Sequence, residues 1–376
     1  MTEDWLKQNI WPRFSRVLNR YEIYLANHSL GRPPDKSSDD VQAALAAWYE
    51  KMDDAWDDWM DEMDWFRSSV AELTNAKGVV PKTSAGQGLR AVINALKTPT
   101  NITTTNKEFE SIDFILKVYE SKGRAKVRWS SPQDLLDAIT DETDLVVFSL
   151  VLFGTGEILQ NANEIIARAH AVGAKTIVDV YHAVGVIPVD MAELKADFMI
   201  GGSYKYTRGG PGACWLAYGD TDLRTLDTGW FAKENPLSFE PHGEIKWGDA
   251  WLESTPAILP IYQARAGLEI IKELGVDNLR KYSLEQQEFL REAFLAEGVA
   301  CVIPDDPKTR GAFSLLKVAN AGILATSLKA NGVNVDARGE HVRFCPDFLN
   351  TEDEIREAAK IAASLIQQRG ETIPSS

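Results

Sequence analysis

Two side chains set the chemistry open to this chain. Asp179 lies near the end of the apolar run TIVDV (residues 176–180), and Lys205 follows the run FMIGG (residues 198–202) within Ser203-Tyr204-Lys205-Tyr206. A lysine amine condenses with an aldehyde to give an imine. A carboxylate set against a pyridine nitrogen keeps that nitrogen protonated and makes the ring an electron sink. Taken singly, an aspartate at a strand end is an ordinary turn or cap, and a lysine beyond a strand is an ordinary solvated charge. Their positions join them, because ligands of open α/β sheets gather outside the carboxyl ends of strands, where both side chains can face one cavity. Asp179 is followed by Tyr181-His182. Lys205 is followed by Arg208-Gly209-Gly210-Pro211-Gly212, with enough glycine for backbone to approach a ligand closely.

The elements that must position this pair follow from periodicity. From about residue 74 to 212 short apolar runs alternate with amphipathic stretches, the pattern of βαβ units around a mostly parallel sheet. Residues 145–151 (LVVFSLV), 176–180 and 198–202 read as strands. Asn161, with Glu164 three residues on, opens a helix that stops at Gly173. Residues 98–106, rich in threonine, read as a loop. Between Leu45 and Val70 the apolar residues Leu45, Tyr49, Met52, Trp56, Trp59, Met63, Phe66 and Val70 alternate spacings of four and three, one stripe of a long helix packed on a core or a subunit. Residues 229–260, rich in Trp, Pro and Gly, read as irregular structure leaving the sheet domain. Beyond them come helices, short strands near residues 313–318 and 333–335, and a last helix opened by Thr351 with Glu354 as a capping box. The fold class is α/β: a large domain with a mostly parallel central sheet (residues 41–255), a smaller α+β domain (256–376), and an N-terminal segment (1–40) packing with the small domain.

Composition narrows the partners. A net charge of −15 sets the chain against nucleic acid or an anionic membrane as its main partner. The seven acids between Asp53 and Asp64 read as a solvated helix face. Cys214, Cys301 and Cys345 are far apart, without the spacing of a zinc site or a disulfide framework, so no metal is expected and the reducing cytoplasm is. No apolar run of 18 residues marks a membrane span, and no Walker or dinucleotide fingerprint is present.

The motifs D-V-Y-H-A-V-G (179–185), V-D (189–190), A-D-F (196–198) and S-Y-K-Y-x-x-G-G-P-G (203–212) together resemble the class V enzymes of fold type I that depend on pyridoxal 5′-phosphate (PLP), kynureninases above all. Residues 25–31 (LANHSLG), 229–231 (GWF) and 342–346 (VRFCP) extend the likeness over almost the whole chain.

The resemblance implies PLP as cofactor, held as an imine on Lys205 with Asp179 on the ring nitrogen. Thr83, Ser84 and Ala85, ahead of a helical run at residues 89–96, would cup the phosphate. Tyr204 and Trp230 would also reach it, Trp230 from the partner subunit of a homodimer with shared active sites. Phe109 matches the aromatic residue that stacks on the ring. Ser149, His182 and Thr255 match further cofactor positions. Arg343 matches the residue that grips the α-carboxylate of an amino acid substrate, for which a guanidinium offers two parallel donors. His28 and Ser29 fall in the family's substrate segment. The implied reaction is hydrolytic cleavage of the Cβ–Cγ bond of kynurenine or a related substrate to alanine and an anthranilate-type acid, with Lys205 as base and Tyr204 as proton donor.

The chain departs from the family pattern in three places. Asn27-His28 stands where the family has Gly-Asn, Thr255-Pro256-Ala257 where it has Asn-Pro-Pro, and Ile112 where it has an aspartate, with Asp113 adjacent. An amide and a hydroxyl differ in reach and donor number, so the side-chain pocket can suit another group. The alternatives are a class V aminotransferase, a β-lyase, or a cysteine desulfurase with Cys345 as nucleophile. A different class, a non-catalytic PLP-fold protein acting in a complex, is disfavoured by the retained Asp179, Lys205 and Arg343. Arg310-Gly311 resembles another family element without an assigned role.

Overall fold

The computed structural model describes residues 1–18, 23–236 and 244–369. Parts of three sequence expectations lie outside the described residues: 19–22 of the N-terminal segment, 237–243 of the irregular stretch and 370–376 of the small domain.

Seven strands form the central sheet, in the order Gly78–Lys82, Cys214–Tyr218, Phe198–Gly202, Lys175–Asp179, Leu145–Ser149, Thr100–Thr105, Ala125–Ser130. Cys214–Tyr218 runs antiparallel to both neighbours, and the other pairings are parallel. Val146, Val147, Phe148, Ile177, Val178, Met199 and Ile200 are fully buried. Helices on both faces demand such unbroken apolar runs, which is why these strands read so plainly in the sequence. Register sets Ser149 directly opposite Asp179, and Asp179 opposite Ile200, so the carboxyl ends of three strands open on one place.

Three sequence expectations are corrected. The threonine stretch is no loop: Thr100–Thr105 is an interior strand paired on both sides. Its β-branched side chains suit a sheet, and three of its buried hydroxyls find partners, Thr100 on the Lys97 carbonyl (2.6 Å), Thr103 on Thr143 (3.0 Å) and Thr105 on Glu108 (2.6 Å), while that of Thr104 has none. The long Trp-rich helix is two helices, Lys36–Lys51 and Ala55–Thr74, broken at Met52, whose φ of +53° no helix accommodates. Along that stripe Met63, Phe66 and Val70 are buried while Tyr49 and Met52 face solvent. Asn161 precedes the helix Ala162–Ala171 without a side-chain cap, whereas Thr351 and Glu354 form the expected capping box at Glu352–Gln368.

In the C-terminal part, strands Ser314–Lys317, Asp336–Arg338 and His341–Phe344 make an antiparallel sheet packed on Val276–Ala296 and Glu352–Gln368 through Leu290, Phe294, Phe344, Ile355 and Ala359. Ile23–Tyr24 pairs with Val333–Asn334 beside it. Leu6, Ile10 and Phe14 pack on Ile270, Ile271, Leu274 and Phe348. The helix Ile258–Leu274 serves two cores: Ile261, Ala264 and Leu268 join the sheet domain, and its last turns hold the N-terminal segment.

Candidate active site

Lys205 follows strand Phe198–Gly202 in a tight turn, where Gly209 donates its N–H to the Ser203 carbonyl (2.6 Å). Gly31 seats that turn. Its N–H donates to the Tyr204 carbonyl, and a Cβ there would overlap the Lys205 carbonyl oxygen, so only glycine lets the N-terminal segment approach.

The Lys205 amine is buried and lines a cavity of about 360 Å³ together with Thr83, Ser84, Ala85, Phe109, Ser149, Asp179, His182 and Tyr204. These nine are the sequence-predicted catalytic and cofactor residues except Trp230 and Thr255. Lys205 Nζ and His182 Nε2 are hydrogen-bonded at 2.5 Å, and His182 Nδ1 is buried without a protein partner. Phe109, Tyr181 and Tyr204 surround the amine, with ring centroids 5.7, 4.8 and 5.7 Å away.

Burial sets the protonation states. It pulls the Lys205 amine down to about 7, Asp179 opposing and the Arg343 charge assisting. Asp179 is pushed up by the same burial, against the Tyr181 N–H that its Oδ1 accepts at 2.8 Å and against the Lys205 charge. His182 is held well below its ordinary value by burial and then by Lys205, so it stays neutral. A neutral amine is a nucleophile and a base; a protonated one is neither.

At the other end of the cavity the helix Ala85–Ile93 begins four residues earlier than the sequence suggested. Ser84 is its N-cap, extended, accepting the Gln87 N–H at 3.2 Å. The free N–H groups of that first turn suit a phosphate dianion. Between this cup and Lys205 lies room for a flat ring, with the Phe109 ring on the wall and Asp179 in reach of one edge. The residues present fit PLP.

Several members of the site escaped the sequence reading. Glu108, before Phe109, is buried and accepts from Ser149 Oγ (2.6 Å) and Thr105 Oγ1 (2.6 Å). Burial raises its carboxyl to about 7 despite those bonds, with the charge of Asp179 adding to the rise. Tyr181 and Cys214 line the cavity in mutual contact at 3.4 Å, and Arg90 stands at its wall. Tyr181-His182 stood in the quoted motif; the others gave no signal of their own.

Not every predicted residue faces the cavity. Thr255 borders an adjoining hollow with Thr83, Gln87 and Glu253, and accepts the Trp230 Nε1 hydrogen at 3.1 Å. His28 and Arg343 meet outside the cavity lining through Asp336. Ser29 donates its backbone N–H to the Ala26 carbonyl in the same N-terminal turn. Arg310 is structural: its guanidinium is buried against the carbonyls of Pro304 and Asp305 and the carboxylate of Glu288.

A buried amine brought down to about 7 and a buried carboxylate in the same cavity are groups that PLP chemistry can use, and the doubly covered sheet that holds them has the fold type I layout. This is a PLP-dependent enzyme of that class. The chain belongs to the aminotransferase class-V family, which it matches over residues 35–364. It is 28% identical to a kynureninase of Bacillus anthracis, covering 92% of this chain and 88% of that protein. To a kynureninase of Pseudomonas fluorescens it is 26% identical, with 92% and 90% covered. Among solved structures, a C-DES mutant with glycine covalently linked to the PLP cofactor superposes with a TM-score of 0.82 at 18% identity, covering 94% of this chain and 98% of that one. An apo cysteine desulfurase from Thermococcus onnurineus gives 0.81 at 18% identity, with 96% and 98% covered.

Proposed function

We propose that the enzyme cleaves the Cβ–Cγ bond of kynurenine or a close relative by hydrolysis, releasing alanine and an anthranilate-type acid. The observation that carries this reading is the likeness to kynureninases along more than nine-tenths of the chain, joined to a cavity in which the family's cofactor residues meet. Bound there, PLP supplies the electron sink. Ser84 and the first-turn N–H groups would hold its phosphate, Phe109 would stack on its ring and Asp179 would keep the ring nitrogen protonated. Lys205, buried and brought down to about 7, would act as the base for the Cα proton, and Tyr204, in the same cavity, would return a proton to carbon. Arg343, bonded to the carbonyl of the cavity-lining Phe153, would take the α-carboxylate from the cavity's edge.

Trp230 and Thr255 stand outside the cavity of their own Lys205, which supports a homodimer in which they reach the phosphate of the second copy. All three cysteines are free, in keeping with a reducing cytoplasm. Among the described residues no helix is long and apolar enough to cross a membrane. A desulfurase needs a reachable thiolate; Cys345 is buried with its thiol pushed up by that burial and donating to the Ala312 carbonyl at 3.1 Å.

The test is product analysis. Holoenzyme given kynurenine or 3-hydroxykynurenine should yield equal amounts of alanine and the aryl acid. Pyruvate, sulfide or a 2-oxo acid from other amino acids, with no alanine from kynurenine, would overturn the reading.

A further inference from the structure

Asp336 and Arg343 are directly opposed in the register of two antiparallel strands, Asp336–Arg338 and His341–Phe344. The carboxylate accepts Arg343 Nε at 2.7 Å and Nη2 at 2.5 Å, a side-on fork. Arg343 Nη1 donates to the Phe153 carbonyl at 2.6 Å, across to the sheet domain. Asp336 Oδ1 also meets His28 Nε2 at 2.8 Å. His28 is fully buried and lies against the Phe313 ring with centroids 4.8 Å apart. Three parts of the chain therefore converge on one guanidinium: the N-terminal segment, the small sheet and the loop carrying Phe153.

A guanidinium has five N–H groups. The contacts named use three, one on each nitrogen, and leave one on each terminal nitrogen. A carboxylate's bidentate pair takes one hydrogen from each terminal nitrogen. An arginine held by nothing would have to be ordered when substrate arrives, at a cost to affinity. The fork and the Phe153 carbonyl remove that cost in advance.

We propose that Asp336 is a positioning residue for carboxylate recognition: it holds the Arg343 guanidinium side-on, backed by His28, so that the two remaining terminal donors are presented to the α-carboxylate of an amino acid. The proposal rests on the assignment of Arg343 as carboxylate clamp. Burial alone would raise the Asp336 carboxyl, but the hydrogen bonds from His28 and Arg343 hold it well below its ordinary value, so it remains an anion throughout the working range. Burial lowers His28 to about 4, so it stays neutral and acts through its Nε2 hydrogen.

The experiment measures binding of L-alanine and of L-alaninamide, which lacks the carboxylate, to holoenzyme by the change in its visible absorption. Wild type, Asp336→Asn, Asp336→Glu, Arg343→Ala and the double variant Asp336→Asn/Arg343→Ala are compared. Asp336→Asn should weaken alanine about tenfold or more, the usual scale for residues that orient a binding group, and leave alaninamide unchanged. Asp336→Glu should recover part of the loss. The double variant should bind alanine no worse than Arg343→Ala alone, because Asp336 acts only through Arg343. Equal weakening of both ligands, or additive losses in the double variant, would overturn the proposal. Should Asp336→Asn fail to retain cofactor or fold, Asp336→Glu alone carries the comparison of the two ligands. If wild type binds both ligands equally, it is the Arg343 assignment that falls, a separate result from a silent Asp336→Asn in an enzyme that does discriminate.

Discussion

The Lys205 amine and Nε2 of His182 are hydrogen-bonded across 2.5 Å, with both side chains buried. The histidine is neutral, so the bond supplies no negative charge to hold the amine as an ammonium. Burial then brings Lys205 from 10.5 to about 7. The rate at which apoprotein takes up PLP should rise with pH through about 7 and level off above it, because the neutral amine is the form that attacks the aldehyde. Stopped-flow absorbance reads this directly; a rate still climbing toward pH 10 would mean an amine that behaves as if solvated.

Glu108 gives a pH dependence of stability. Its folded value is raised from 4.5 to about 7, so the native state favours the neutral acid. Its contribution is fully present below 4.5 and is lost as pH rises through 7. The full difference is about 3 kcal/mol at roughly 1.4 kcal/mol per unit. Apoprotein carrying Glu108→Gln should therefore match wild type near pH 4 and be more stable than wild type at pH 8, as read by urea midpoints. The reverse order would show that Glu108 is held as an anion.

Asp347 lies between two buried arginines, pairing with Arg208 and, at 2.7 Å, with Arg32. Removing the carboxylate in Asp347→Ala strands both cations, and the loss should reach about 3–5 kcal/mol in urea unfolding. Burial would raise the Asp347 carboxyl, but the two guanidinium groups lower it below 3.8, so this contribution holds above that value and is lost as pH falls beneath it. A loss under about 1 kcal/mol would place the triad in the class of solvated pairs.

The proposed sharing of sites between two subunits predicts complementation. Lys205→Ala and Trp230→Ala homodimers, each of low activity, should regain activity on mixing and exchange, since one site of each hybrid carries both native residues. Mixtures no more active than their parents would confine Trp230 to its own subunit.

The sheet was legible because burial on both faces writes unbroken apolar runs, and Asp179 and Lys205 were legible because each ends or follows such a run. Thr100–Thr105 hid because a strand of buried hydroxyls carries no apolar signal; its partners at Lys97, Thr143 and Glu108 exist only once the chain is folded. Glu108 and Asp336 were missed for the same reason: their roles come from cross-strand and loop contacts, not from spacing. The break at Met52 was invisible to a periodicity that continues on both sides of it.

The central claim is a covalent one, and borohydride reduction of PLP-loaded protein followed by peptide mapping tests it most directly. A phosphopyridoxyl group should be found on Lys205 and be absent from the Lys205→Ala variant. Label on another lysine, such as the buried Lys82, or no label on a protein that has taken up the cofactor, would contradict the account.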